Sequence, residues 1–374
     1  MAQLLFWSAF YYLMPAISAL IVAQTGWPVL HISVSQTMAF LVWALFAPVM
    51  GSCIDRGWGG IVMCAGGIVG AVTLLGLTMV TDRWMFSAGL LVLGMCMAAT
   101  LYDPCFSLIM RRLDTRGADA TATVTLIAGF ATLLTFPLVL WLSGFWAWTW
   151  IVVVFALLAV VATCVLPGQD RQERILTIST KHPALKLEKG PVLIALSFGL
   201  IMLGHAILLF LLPVVLVQDG NAGAAGLLAI AILGPSQIVG RLLWRARGAH
   251  FELKLSAMTL FVLFCLPPVL LLMWGPATSI VYAALILQGA CYGIHTILRP
   301  VLARLYLPVE HLGRGFGRIA TVGLLMMALG PVLGGLIWSA AGFAGLMLCV
   351  LGVNVCALCL IVVLFQTNPA KGVL

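Results

Sequence analysis

Twelve apolar runs, each about as long as a bilayer is thick, fill this chain of 374 residues, and they constrain its fold more than any other feature. They lie at 3–24, 34–53, 60–80, 84–109, 121–143, 145–167, 191–217, 223–243, 254–274, 277–301, 316–340 and 343–366. A helix rises about 1.5 Å per residue, so ~20 apolar residues cross the ~30 Å hydrocarbon core. Lipid offers no partner to a free backbone group, so these runs must close their own hydrogen bonds as helices, whereas a barrel would show short alternating strands. The expected class is an all-α integral membrane protein with twelve transmembrane helices. Composition agrees: 63% of residues are hydrophobic and only 8% are Asp, Glu, Lys or Arg, against about 25% charged in soluble domains. That excludes a soluble enzyme, a nucleic-acid binder and a disordered scaffold.

The net charge of +8 does not indicate a polyanionic partner, because the basic residues sit in the gaps between apolar runs. With both termini placed in the cytoplasm, eighteen of the nineteen Lys and Arg residues fall on the inner side; only Arg83 is outside. Basic loops stay cytoplasmic, so this bias fixes the expected orientation in a plasma membrane of the bacterial inner type. The first basic residue is Arg56, too late for the n-region of a signal peptide, so the first run reads as a mature span. Nine of the ten cysteines lie in or beside apolar runs, and the Cys356–Cys359 pair has no second pair near it, so they read as buried small hydrophobes rather than metal ligands. No cofactor or metal is expected.

The longest charged gap, 168–190, separates six runs from six. The expected domains are therefore 1–167, a cytoplasmic linker at 168–190, and 191–374. The halves also echo each other. GSCIDRGWG (51–59) follows the second run and GRLLWRARG (240–248) the eighth, each with Gly, Arg five residues on, and Gly three further. Tyr102 and Tyr292, near the ends of the fourth and tenth runs, are separated by a nearly identical offset. Two features at one spacing indicate duplication of a six-helix unit, which is a transporter architecture.

Taken together, the six-plus-six arrangement, the charged central gap and Gly51, Asp55 and Arg56 after the second run resemble the major facilitator superfamily along the whole chain. That family's loop signature places Gly, then Asp-Arg, then Gly, then two basic residues. Here the later glycine is displaced to Gly59, and Gly60–Ile61 replaces the basic pair. The resemblance implies alternating access, with cytoplasmic gating loops at Gly51, Asp55, Arg56 and Gly59 and, in the second half, Gly240, Arg241 and Arg245. It also implies a central cavity lined by the first, fourth, seventh and tenth spans. The fifth span, GFATLLTFP, lacks the Gly-Pro motif common in drug antiporters of the family.

Polar groups inside a membrane are costly, and they usually face a cavity and act there. In the tenth run, Gln288, Tyr292, His295 and Arg299 fall on one helix face. In the fourth, Thr100, Asp103, Ser107 and Arg111 repeat the spacing. Two readings stand for the tenth-span stripe: a cavity lining, or a packing seam with Arg299 snorkelling to the cytoplasm. Asp103 lies well inside its span, where a desolvated carboxylate can exchange a proton; the competing reading is a structural ion pair. His205 stands alone among Leu, Ile and Gly, and Tyr11 and Tyr12 are divided between cavity and packing. Gln36, Gln237 and Asn354 read as interhelical hydrogen bonds, and Trp146, Trp148 and Trp150 as interfacial anchors.

These readings converge on a secondary active transporter, expected to be monomeric and proton-coupled, for a small-molecule solute. Arg299 and His295 favour an organic anion or zwitterion; an exporter of hydrophobic compounds is the alternative. A polytopic enzyme is disfavoured because HExxH, GxSxG and Walker motifs are absent from the sequence.

Overall fold

The computed structural model describes residues 1–113, 117–166, 189–218, 228–247, 252–276, 278–307 and 312–367, and every regular element among them is a helix. The chain divides into two compact units, Met1–Thr180 and Lys181–Leu374. In the first unit the helices are α1 (Ala2–Thr25), α2 (Val29–Cys53), α3 (Gly59–Leu77), α4 (Arg83–Thr100), α5 (Tyr102–Leu113), α6 (Gly117–Ala128), α7 (Ala131–Ser143) and α8 (Trp148–Cys164). In the second they are α9 (Lys189–Gln218), α10 (Leu233–Arg247), α11 (Leu253–Trp274), α12 (Thr278–Tyr306) and α13 (Leu312–Thr367). Apart from Lys189 and Gly190, the 168–190 linker lies outside the described residues.

Helix pairing repeats between the units, as duplication requires. In the first, α2 packs on α4, α3 on α4 and α8, and α1 on α7. In the second, α10 packs on α12, α11 on α12 and α13, and α9 on α13. Close approach depends on small residues, as expected where lipid removes the hydrophobic drive between helices. Gly94 lets α4 reach the backbone of Ala39 on α2, and Gly240 and Gly293 do the same between α10 and α12, against Ala290 and Gln237.

Among the described residues, nine helices are long and apolar enough to cross a bilayer, against the twelve runs of the sequence. The differences have local causes. The eleventh and twelfth runs form the single element α13, broken only at Gly342, whose φ of 61° suits a residue without Cβ. α8, at 17 residues, is short for a span. The eighth run begins in 219–227, outside the described residues. The fourth run splits: α4 ends at Thr100, Leu101 is extended, and α5 starts at Tyr102.

That split falls within the fourth-span stripe. Pro104 has no N–H to give the carbonyl of residue 100, and its ring crowds that carbonyl, so the helix cannot run straight through. Thr100 is fully buried, its hydroxyl turned back to the Cys96 carbonyl at 2.7 Å, and it packs near Gly66 on α3. Thr100 closes α4, while Asp103, Ser107 and Arg111 belong to α5, and their side chains lie outside the description.

The repeated Gly-Arg-Gly segments are likewise helix ends more than loops. Gly51 falls in the last turn of α2 with open space around it, whereas Gly240 lies within α10, pressed on the Ala290 backbone. A π-turn at Ile54–Trp58 joins α2 to α3, and its turning residue is Gly57, at φ 85°, not the displaced Gly59. Gly59 instead makes room for the Leu108 side chain. Arg56 is exposed, and Arg241 and Arg245 occupy the last turns of α10. The Asp55 side chain is outside the description. One of the three tryptophans assigned to the interface is core: Trp148 is buried, its ring 6.2 Å from Phe86, while Trp146 and Trp150 are exposed.

Candidate functional site

The tenth-span stripe lies on α12, and within the second unit it faces α9. His205 is not isolated there. Its ring lies on Tyr292 with centroids 3.7 Å apart and planes 11° apart, and Tyr292 in turn stacks on His295 at 5.2 Å and 10°. The Gln288 amide nitrogen stands 3.4 Å from His205 Nδ1. Three parallel rings from two helices thus form a polar column inside apolar packing, bounded by Phe198, Phe261 and Phe264.

The hydrogen bonds set the chemistry of this column. His295 Nε2 lies 3.1 Å from the Phe198 carbonyl, which can only accept, so Nε2 carries the hydrogen and Nδ1 presents a lone pair. That Nδ1 is buried without a partner, as is the Gln288 amide oxygen. A nitrogen lone pair with no donor beside it is chemically able to accept a hydrogen bond or a proton.

Arg299 follows His295 by one turn on α12. Its Nη1 reaches Met202 Sδ at 3.5 Å, and a side chain at Gly323 on α13 would meet that nitrogen at 3.4 Å. That nitrogen therefore lies among α9, α12 and α13. Pro300 follows it inside α12.

In the first unit the polar groups of α1 organise the fourth span. The Thr100 carbonyl, deprived of a donor by Pro104, accepts from Gln3 Nε2 at 2.7 Å, and this bond ties α1 to the break. The second unit uses the same device: Pro268 leaves the Phe264 carbonyl free, and Asn354 Nδ2 donates to it at 2.7 Å. Asn354 thus makes the expected interhelical bond. Gln36 does not, since neither atom of its buried amide has a partner. Gln3 was not singled out from the sequence; the signal for it is a proline four residues after a buried carbonyl, but the donor is 97 residues away.

Residues Trp7–Tyr12 of α1 form a π-turn. Its i→i+5 spacing brings Tyr12 as well as Tyr11 beneath Trp7, with ring centroids at 6.1 Å and 5.0 Å. Ser8 bonds back to the Leu4 carbonyl at 2.8 Å, an arrangement that bends helices. Half-buried Tyr12 therefore belongs to an aromatic cluster with Trp7, Tyr11, Phe40, Trp43 and Tyr102. The two sets of predicted residues stand in separate units: Tyr12, Thr100, Asp103 and Ser107 in the first, His205, Gln288, Tyr292, His295 and Arg299 in the second.

The sequence profile of the Major Facilitator Superfamily matches residues 1–246 and 194–373. Among curated proteins, none matches at a significant level of sequence similarity. Solved structures of similar fold include a mutant form of the nucleoside transporter NupG, with a TM-score of 0.80, 15% identity and 97% of each chain covered. A bacterial homologue of the human lysosomal transporter Spinster, inward-facing and occupied, gives a TM-score of 0.74 at 11% identity, covering 99% of this chain and 97% of that one. Both are transporters, not enzymes. With the profile spanning both halves and this all-helical fold beneath it, the chain belongs to the Major Facilitator Superfamily and is an integral membrane transporter.

Proposed function

We propose that the chain moves a small organic anion or zwitterion by proton-coupled alternating access, with both termini cytoplasmic in a membrane of the bacterial inner type. The observation that carries this reading is the His205–Tyr292–His295 column, with Arg299 turned inward close by. In this proposal Arg299 grips the anionic group through its planar fork, and His295 Nδ1 takes the coupled proton. Asp103, in the first turn of α5, is the second titrating group, contributed by the first unit. The two six-helix halves, 1–167 and 191–374, rock about the 168–190 linker, and Gly51, Asp55, Arg56, Gly59, Gly240, Arg241 and Arg245 act at the cytoplasmic ends that open and close.

The structural likeness to a nucleoside transporter is a likeness of fold and does not choose the solute. A second reading, export of apolar compounds, draws on the aromatic cluster of the first unit. Arg299→Lys separates the two. An anion gripped bidentately loses affinity although the charge remains, because an ammonium cannot present two parallel N–H donors; an apolar solute is indifferent. Thermal stabilisation of the purified protein by panels of organic anions, zwitterions and apolar drugs reads out the difference.

A further inference from the structure

His295 and Arg299 leave α12 one turn apart and end on a single turn of α9. His295 Nε2 lies 3.1 Å from the Phe198 carbonyl, and Arg299 Nη1 lies 3.5 Å from the sulfur of Met202, whose own N–H that carbonyl serves within the helix. Gly323 on α13 leaves room at the guanidinium: a side chain there would stand 3.4 Å from Nη1 and 2.7 Å from the sulfur. Three helices of the second unit thus bring imidazole and guanidinium within electrostatic reach of each other, with Phe198 and Phe264 against the imidazole.

The other ring nitrogen decides what the pair can bind. Because Nε2 donates to the carbonyl, Nδ1 of neutral His295 holds a lone pair in the interior; it has no partner, and the residue is 1% exposed. Next to a guanidinium holding an oxyanion, that lone pair would oppose the lone pairs of the anion. A proton on Nδ1 reverses the contact, since Nδ1–H donates, and charge-assisted hydrogen bonds are roughly twice as strong as neutral ones. The described ionisable groups around His295 add no negative charge. Tyr292 stacks on it from its own helix, Arg299 and His205 of α9 lie within electrostatic reach, and Arg241 of α10 reaches Tyr292. From α11 it meets Phe264, and Arg318 of α13 is exposed. Among the described residues of this unit the one acid is Glu252, exposed before the first turn of α11. Those residues thus hold no buried counter-charge for a protonated His295, and a bound anion would supply it.

We infer that His295 and Arg299 form one site for a carboxylate that is complete only with a proton on His295 Nδ1, so that anion and proton bind together and cross in the same direction. This deepens the proposal above, on which it rests for an anionic solute, by committing the solute to a carboxylate and the coupling to symport. Nδ1 takes the proton from solution as the carboxylate arrives and gives it up as the carboxylate leaves; the unloaded site returns neutral at Nδ1. A carboxylate presents its two oxygens to the guanidinium fork and the Nδ1–H. A phosphate ester would bring a third oxygen and further charge into a place lined with phenylalanine.

L-lactate, pyruvate, benzoate and methyl phosphate are the probes, with chloride as the salt control, on the purified full-length protein with no gradient present. Binding is followed by thermal stabilisation at about pH 5.5 and about pH 7.5, within the range where a histidine titrates. At least one carboxylate should bind about tenfold or more tightly at the lower pH, the reciprocal of anion-assisted protonation. Calorimetry in two buffers of unlike ionisation heat should show a proton taken up with each anion. His295→Gln, which retains the nitrogen that bonds Phe198 but has none at Nδ1, should cut the acid-side affinity about tenfold or more and abolish the proton uptake. His295→Asn puts an uncharged N–H donor near the place of Nδ1, so it should bind about equally at both pH values, again without uptake. The inference is overturned if no carboxylate binds at tens of millimolar, if methyl phosphate binds more tightly than every carboxylate, or if anion binding takes up no proton or releases one. It is overturned equally if His295→Gln keeps the wild-type pH dependence. Arg299→Lys separates this failure from that of the reading beneath it. Carboxylate binding that is indifferent to pH but weakened in Arg299→Lys leaves the anion reading standing without symport; binding unchanged in Arg299→Lys removes the guanidinium and the anion reading with it.

Discussion

Two buried carbonyls carry much of the local logic of this protein. Pro104 and Pro268 each remove the N–H that the carbonyl four residues earlier needs, and Gln3 and Asn354 supply the replacement from another helix. A lone carbonyl in a dry interior costs roughly 1–3 kcal/mol, whereas measured interhelical hydrogen bonds in membranes average about 0.6 kcal/mol. Gln3→Leu and Asn354→Leu should therefore each lower the unfolding free energy by about 1–2 kcal/mol, seen as a lower melting temperature in detergent. Gln3→Leu should in addition impair transport, because it releases the break beside Asp103, while Asn354→Leu should leave transport of the surviving fraction normal. Equal losses of transport in both would mean that the break at Leu101 has no special role.

At the level of helices, duplication preserved the pairing pattern but not the work of individual residues. Gly51 and Gly240 occupy matching places in the repeated segments, yet Gly51 has open space around it and Gly240 lies on the Ala290 backbone. Gly51→Ala should be neutral or stabilising by up to about 1 kcal/mol, the gain in helix propensity. Gly240→Ala should cost about 1–3 kcal/mol, because backbone cannot yield as a flexible side chain can. A thermal melt of each variant decides it; similar shifts in both would contradict the packing described for α10 and α12. The sequence made the apolar runs and the halves legible, since period and charge act locally. Gln288, Tyr292, His295 and Arg299 share one unbroken helix, α12, so their spacing could be read locally. The sequence did not report the partners of that face, or the donor at the break in the fourth span, for a shared reason. His205 meets Tyr292 across 87 residues and Gln3 meets Thr100 across 97, and no local pattern reports a donor arriving from another helix.

For the whole molecule, alternating access requires that cytoplasmic ends form and release contacts without altering the site. Asp55→Asn should slow transport several-fold while leaving solute-dependent thermal stabilisation intact, and normal rates would remove the Ile54–Trp58 turn from the mechanism. Both termini belong in the cytoplasm if the basic bias governs topology, so a single cysteine placed at position 180 should react only with membrane-permeant reagents in intact cells. Proton-coupled accumulation is measured in proteoliposomes given a pH gradient, using the solute that best stabilises the purified protein. Wild type should concentrate that solute, and a protonophore should abolish the accumulation. His295→Gln and Asp103→Asn should each lose pH-driven accumulation yet retain one-for-one exchange, since exchange moves no net proton. Accumulation in both variants with the wild-type dependence on the pH gradient would show that neither His295 nor Asp103 carries the coupled proton.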